Sequence, residues 1–445
     1  MSRNLVIADL HIHSKYSRAT STNMNIRDIT YFAQVKGLNL IGTGDFTHPK
    51  WLRELKENLV EVSGTGLYKP AEKEVSQVWF MITGEVSTVF KFEGKTKKIH
   101  HVILVPSIEV AEQINDRLSP YGDLEADGRP TLSMSAPHLV EEVMEVSKEN
   151  MVFPAHAWTP WFSIFGAFSG FNRVEDCYQD MTKHICALET GLSSNPPMNW
   201  RLSALDKFTL LSNSDSHSSW PWRIGREANV FSLEKLTYWE IVDSIRKKDP
   251  RRLIFTIETD PAYGKYHWTG HRSCGVSLPP KEAIKLGNRC PVCHRVLTKG
   301  VEQRVEELAD RPYGFKPPNS PDYMHLLPLS EVLSVVLGSS SPNSRKVWNI
   351  YNTLRARFGN EYNVLINAKF EEIAEVTNPL IAEAIIRVRE GRVKVIPGYD
   401  GVYGQIIIFP EREESMVGAA RKKKGEFKAE KRVRLREQRS LADFL

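Results

Sequence analysis

Histidine and carboxylate residues recur at the ends of apolar runs in this chain. Asp9, His11 and His13 follow the first run in IADLHIHS; Asp45 and His48 follow the second in IGTGDFTH. Glu85 follows the third in MITGEVS, and His100 and His101 open HHVILV. His156 ends VFPAH, and Asp215 and His217 end LLSNSDSH. One such histidine is ordinarily a hydrogen-bonded structural residue, and one aspartate after a strand is ordinarily the cap of the next helix. Six strand ends carrying the same chemistry ask for a joint explanation. His11 and His13 are one residue apart, which turns both rings to one side of an extended segment. Imidazole with carboxylate suits zinc, manganese or iron. The donors are too numerous for one tetrahedral ion, so a cluster of two or three bridged by a carboxylate such as Glu85 is expected. Clusters of that kind activate a water and clamp the attacking and leaving oxygens of a phosphoryl displacement. Phosphate-ester hydrolysis is the leading reaction class, with Asp45, His48, Asp215 and His217 as candidates for its catalytic groups.

The elements that must position these residues alternate. Leu5–Ala8, Leu38–Ile41, Val78–Ile82, Val102–Val105, Met151–Phe153, Ile185–Leu188, Thr209–Leu211 and Leu253–Ile257 read as buried strands. Helical patterns lie between them, over 25–36 before Gly37, over 137–150 and over 234–248 before Pro250. Such alternation predicts parallel βα units over 1–260, in an open sheet or a barrel, with reactive groups at the carboxyl ends of the strands. Residues 261–328 are rich in proline and glycine and need a staple. His271-x2-Cys274, followed by Cys290-Pro-Val-Cys293, supplies the donors of a structural zinc site, with His267 and His294 as alternatives to His271. Helical patterns return at 330–337, 345–357 and 379–390, which predicts a small, mostly helical module over 329–410.

The chain has 59 Lys+Arg against 54 Asp+Glu, a net +5. Residues 421–439 alone carry +7, leaving −2 for the rest, so the tail rather than a basic folded surface is what attracts a polyanion. Apolar content of 41% and charged content of 25% are those of a globular protein and exclude a largely disordered or collagen-like chain. No run reaches the ~18 apolar residues of a membrane span. Five cysteines, three of them clustered at 274–293, favour metal binding in a reducing compartment, hence a cytoplasmic protein, and the lack of an apolar span predicts no membrane partner. Cys177 and Cys186 are expected to be buried apolar residues. After the basic stretch, 411–445 ends in Gln438-Arg-Ser-Leu441-Ala-Asp-Phe444-Leu445, the spacing of a sliding-clamp (PCNA) interacting peptide. One helical turn puts Leu441 and Phe444 on one face as a plug, with Gln438 as a polar anchor.

The ordered motifs DLHIHSKYS, GTGDF, GEVS, HVILV, AHAW and SDSH resemble those of the polymerase-and-histidinol-phosphatase (PHP) superfamily over 1–260. That resemblance implies a distorted seven-stranded βα barrel with a trinuclear metal centre. His11, His13, Glu85 and Asp215 would hold one ion, Glu85, His101 and His156 the second, and His217 would belong to the third. The second motif departs from the family, with Phe46 where a histidine is usual. Barrel, zinc segment, helical module and clamp peptide together resemble the DNA repair endonucleases of that superfamily. This implies cleavage 5′ of deaminated bases (uracil, hypoxanthine, xanthine) and abasic sites, leaving 3′-hydroxyl and 5′-phosphate, with zinc in the barrel and Mg²⁺ or Mn²⁺ for cleavage. The alternatives are a small-molecule phosphatase and a non-catalytic clamp adaptor. Trp158, Trp161, Phe162, Phe165 and Phe168 follow His156, and Trp220, Trp222, Arg223 and Arg226 follow His217. These loops could stack on an unpaired base or pack a barrel rim.

Overall fold

The apolar run at the N-terminus forms the strand Asn4–Asp9, with Val6, Ile7 and Ala8 buried. A strand covered on both faces reads as a continuous apolar stretch rather than an alternating one. The computed structural model describes residues 3–72 and 77–410, so the basic tail and the Gln438, Leu441, Phe444 and Leu445 peptide lie outside the described residues. The main sheet runs in the order Asp322–His325, Leu253–Glu258, Ala228–Leu233, Asn4–Asp9, Leu40–Gly42, Trp79–Phe92. Lys95–Val105 pairs with Trp79–Phe92 and then with Met151–Pro154, while Ala187–Glu189 and Thr209–Leu211 form a separate parallel pair.

The sheet is mixed, not the all-parallel array that the alternation predicts. Asn4–Asp9 is parallel to Leu40–Gly42 but antiparallel to Ala228–Leu233. The expected short strands near Val78 and Val102 are two arms of one long antiparallel hairpin, in which Glu85 lies mid-strand rather than at a strand end. No continuous barrel ladder forms among the described residues: none joins Met151–Pro154 to Ala187–Glu189, or Thr209–Leu211 to Asn4–Asp9. Individual hydrogen bonds span those gaps. The His156 amide donates to Glu189 Oε2 at 2.7 Å, and the Leu10 amide donates to Asn213 Oδ1 at 2.9 Å.

Helices cover this sheet with apolar stripes. Ile26–Lys36 is opened by the Asn25 side chain, which accepts from the Asp28 amide, and is closed by Gly37 at φ 101°. A Cβ at this φ would be strained, which is why glycine ends the helix. The 261–328 segment is less separate than its composition suggests, since its last strand, Asp322–His325, joins the main sheet parallel to Leu253–Glu258. The C-terminal module holds the helices Leu329–Val336, Arg345–Phe358, Phe370–Val376 and Pro379–Arg389, and adds a small hairpin of Lys394–Ile396 with Gln405–Ile407. No helix among the described residues is long and apolar enough to cross a membrane.

Candidate metal centre

Two donor groups meet at Glu85. His11, His13, Glu85 and Asp215 form one, and Glu85, His100 and His156 form the other; within each, the donor atoms all lie within 4.8 Å of one another. Glu85 Oε2 is 3.1 Å from His13 Nε2 and 3.5 Å from His11 Nε2. Its Oε1 is 2.9 Å from His100 Nδ1 and 3.2 Å from His156 Nε2. One carboxylate therefore turns an oxygen to each group, as a bridging ligand does.

The second group corrects an expectation. His100, not His101, faces Glu85. In the hairpin, Ser87 pairs with His100 and Val86 with His101. Paired residues share a face and neighbours alternate, so the face of Glu85 and Ser87 receives His100. His101 points the other way, between the Tyr178 hydroxyl at 2.8 Å and the Thr88 hydroxyl at 2.9 Å.

The residues fit metal ions. His11 Nε2 is buried without a hydrogen-bond partner, although its other nitrogen, Nδ1, is 3.0 Å from Glu189. His13 Nδ1 is 2.9 Å from Asp45 Oδ1. In both, a carboxylate takes the outer N–H and aims the remaining nitrogen at the donor group, the usual support of a ligating histidine. Burial favours neutral imidazole and pushes His100 down to about 4. His11 and His13 lie above the usual range, because Glu189 with Glu85, and Asp45 with Asp215, outweigh that burial. Ligation would release those protons. Asp45, His156 and Asp215 all adopt left-handed backbone, at φ 50°, 29° and 48°. This conformation is costly for residues with a Cβ and collects at functional sites.

Three of the expected catalytic residues lie outside both donor groups. Asp45 is wholly buried behind His13 and also accepts from Ser14 and Ser17, so it holds the His13 ring and has no open face of its own. His48 starts the helix Pro49–Asn58, stacks on Tyr16 with ring centroids 4.4 Å apart, and meets the Glu125 carbonyl. It is outside both donor groups. His217 is outside them too, at the lip, with its ring 4.3 Å from that of His13. Asp215 is a member of the first group. Two residues that sequence reasoning missed belong here. Glu189 ends the strand Ala187–Glu189, so the strand-end rule that selected its neighbours would have found it. Arg129, with Nη1 3.0 Å from Glu85 Oε2, comes from a loop and carries no such signal.

A separate group joins His271, Cys274, Cys290 and Cys293, again with donors within 4.8 Å of one another. One ion about 2.0–2.3 Å from each donor would set such spacing. Of the alternatives to His271, His267 instead pairs with Glu302 at 3.4 Å. Cys177 is buried and Cys186 half-buried. Trp158 and Phe165 are core residues, and Trp220 stacks on Trp222 against Trp348 of the C-terminal module.

Residues 328–392 match the family model described as the MJ0043 C-terminal domain. The chain is 32% identical over 264 residues to uncharacterized protein MJ0043 of Methanocaldococcus jannaschii, a match covering 58% of this chain and 32% of that one. The chain thus spans about a third of that longer relative. It is 27% identical over 422 residues to uncharacterized protein YqxK of Bacillus subtilis, covering 90% and 99% of the two chains. Among solved structures, the lesion-specific endonuclease EndoQ of Pyrococcus furiosus superposes with a TM-score of 0.82 at 34% identity, over 92% of this chain and 96% of that one. Endonuclease Q bound to a 27-mer duplex with an abasic lesion at its active site superposes with a TM-score of 0.81, also at 34% identity, over 92% and 98%. Shared fold and sequence over nearly the full length of both chains place this protein in the endonuclease Q family.

Proposed function

We propose that the chain is a metal-dependent DNA repair endonuclease that hydrolyses the phosphodiester bond 5′ of a deaminated base (uracil, hypoxanthine or xanthine) or an abasic site. The products are a 3′-hydroxyl and a 5′-phosphate. The observation that carries this reading is the near full-length likeness to endonuclease Q, including the form that holds an abasic lesion at its active site. The two donor groups sharing Glu85 support it.

Ions in those groups, zinc in the barrel with Mg²⁺ or Mn²⁺ for cleavage, would supply an activated water and neutralise the phosphate oxygens. The chain does the rest. Glu85 fixes the spacing of the two groups. Glu189 and Asp45 hold His11 and His13 with their Nε2 atoms turned inward. Arg129, one-quarter exposed beside Glu85, offers a fixed positive charge to a phosphate oxygen. His217, at the lip with a 30% exposed side chain, is placed to hand a proton to the departing 3′ oxygen. The His271, Cys274, Cys290 and Cys293 group takes a structural zinc. The basic tail and the terminal peptide ending Phe444-Leu445 recruit the sliding clamp near the nucleoid and raise the local concentration of enzyme on DNA.

The test is a labelled duplex carrying one deoxyuridine or deoxyinosine, incubated with Mg²⁺ or Mn²⁺, with the nick mapped on a sequencing gel. A single nick 5′ of the lesion is expected. Asp215→Asn and His11→Ala should slow it by at least ~100-fold while DNA binding persists. Equal cutting of undamaged duplex would overturn the lesion specificity, and near wild-type rates in both variants would overturn the metal centre.

A further inference from the structure

Three glutamates at strand ends are fully buried, and the metal centre uses only one of them. Glu189, which ends Ala187–Glu189, holds His11. Glu258 ends Leu253–Glu258, and Glu227 immediately precedes Ala228–Leu233, which runs antiparallel to it. All three are 0% exposed. Glu227 and Glu258 lie outside both donor groups and, among the described residues, form no ion pair with Lys, Arg or His. Arg226 is the adjoining cation, and it too is buried without an ion pair. An ionised carboxylate buried without a counter-ion is so costly that the group keeps its proton instead.

Hydroxyls, rather than cations, surround the two acids, and their hydrogens can be counted. Thr256 Oγ1 lies 2.6 Å from Glu258 Oε1, and Thr190 Oγ1 lies 3.1 Å from Glu258 Oε2. The Thr259 amide donates to Glu227 Oε1 at 3.1 Å. That leaves Glu227 Oε2, whose neighbour is Ser212 Oγ at 3.2 Å. Ser212 has a single hydroxyl hydrogen. The Ile257 carbonyl lies nearer to it, at 2.8 Å, and a carbonyl can only accept. With that hydrogen given to Ile257, two oxygens face each other between Ser212 and Glu227. The hydrogen between them must then come from the carboxyl, so Glu227 donates as a neutral acid.

We propose that Glu227 and Glu258 form a buried acid pair that holds at least one proton at neutral pH, resident on Glu227, and that this retained proton makes the fold weaken as pH rises. The pair follows from the fold alone and holds whatever substrate the chain takes. It also adjoins the metal centre along the chain, since Ser212 opens the run 212–215 that ends in Asp215, and its amide donates to Asn229 Oδ1 at 3.0 Å. Burial pushes both carboxyls up from the usual 4.5, Glu258 to about 8; Glu258 adds to the effect on Glu227, and Glu189 to that on both. Between those values the folded chain keeps protons that the unfolded chain has released, so stability falls with rising pH across that window. Below it both states are protonated and the effect vanishes; above it the fall levels off.

The metal-loaded full chain and its Glu227→Gln variant are unfolded in guanidinium chloride from about pH 5.5 to about pH 7.5. The glutamine amide can donate to Ser212 Oγ and its carbonyl can accept from Thr259, as the acid does, but it has no proton to retain. The wild-type unfolding constant should rise relative to that of the variant by about tenfold per pH unit, hence about 100-fold over the interval. Infrared spectra at neutral pH should show the carbonyl band of a protonated carboxyl in wild type, weakened in the variant. The wild-type band keeps the proposal testable if the variant does not fold. A parallel pH dependence of the two proteins would mean that Glu227 is ionised, with a cation in place of the proton, and overturns the proposal. Absence of a protonated-carboxyl band from wild type overturns it as well.

Discussion

His100 and His101 are neighbours whose environments give them opposite tasks. Burial keeps both imidazoles neutral, pushing them down to about 4 and about 3. His100 spends its neutrality beside Glu85 and His156, where a lone pair can ligate. His101 spends it joining the Tyr178 and Thr88 hydroxyls. His100→Ala should therefore lower the bound metal and slow cutting by at least ~100-fold, with little effect on the unfolding of metal-free protein. His101→Ala should leave the metal in place and strand the buried Tyr178 hydroxyl, a cost of about 1–3 kcal/mol, while Thr88 keeps the Ile99 carbonyl. Metal analysis and urea unfolding of both variants separate the roles, and the reverse pattern would return His101 to the metal centre. A histidine pair at a strand start does not disclose which member faces inward. Only the register with the partner strand decides, and that register depends on a turn at Glu93-Gly94 whose reach into the hairpin is not written in the HHVILV motif itself.

At the scale of elements, reactive residues that follow apolar runs pointed to His11, His13, Glu85, His156 and Asp215 of the two donor groups, and close cysteine spacing to the His271, Cys274, Cys290 and Cys293 group, whereas His100 was passed over for His101. Sheet direction was not legible, since an apolar run of four to six residues has the same composition whether its neighbour is parallel or antiparallel. Nor was the way the 261–328 segment props the loop that follows His156. Arg304, on the helix Val301–Leu308, donates to the Phe165 and Phe171 carbonyls at 3.1 and 3.0 Å and to the Asn172 side chain at 2.6 Å. The same helix starts where the Val301 amide meets the Tyr266 carbonyl at 2.9 Å. Arg304 thus links the 261–328 segment to the loop, beside the ring contact of Tyr266 with Trp161. Cys290→Ser with Cys293→Ser should remove about one metal ion per chain and speed hydrogen exchange in both 261–328 and the loop 157–172. Arg304→Ala should loosen the loop alone and leave the metal bound. Unchanged metal content in the cysteine variant would remove the staple, and unchanged exchange in the loop of the arginine variant would remove the link.

At the scale of the whole molecule, the C-terminal module is tied to the sheet by a charge that sequence reading would place in solvent. Lys36 is the last residue of the helix Ile26–Lys36, next to Gly37, an ordinary position for a surface lysine. It is instead 1% exposed. Its ammonium donates to Glu361 Oε1 at 2.7 Å and to the Pro221 carbonyl at 2.8 Å, and lies 5.4 Å from the centre of the Tyr362 ring. Glu361 also accepts from the Leu329 amide and the Tyr351 hydroxyl, so both charges are fully engaged. The adjoining Tyr362 hydroxyl donates to the Gly225 carbonyl, and the Gly225 amide donates to Asp9, which in turn accepts from Ser214 beside Asp215. A continuous set of hydrogen bonds therefore runs from the module to the segment that carries Asp215 of the first donor group. Removing one partner leaves a buried charge unanswered, so Lys36→Met and Glu361→Gln should each destabilise the protein by about 3–5 kcal/mol. Removing both leaves no such charge, and the double variant should be less unstable than the sum of the two by at least ~1 kcal/mol. Chemical unfolding of the three variants measures this coupling. Strict additivity would mean that the two side chains act independently and that the module is held by its apolar contacts alone.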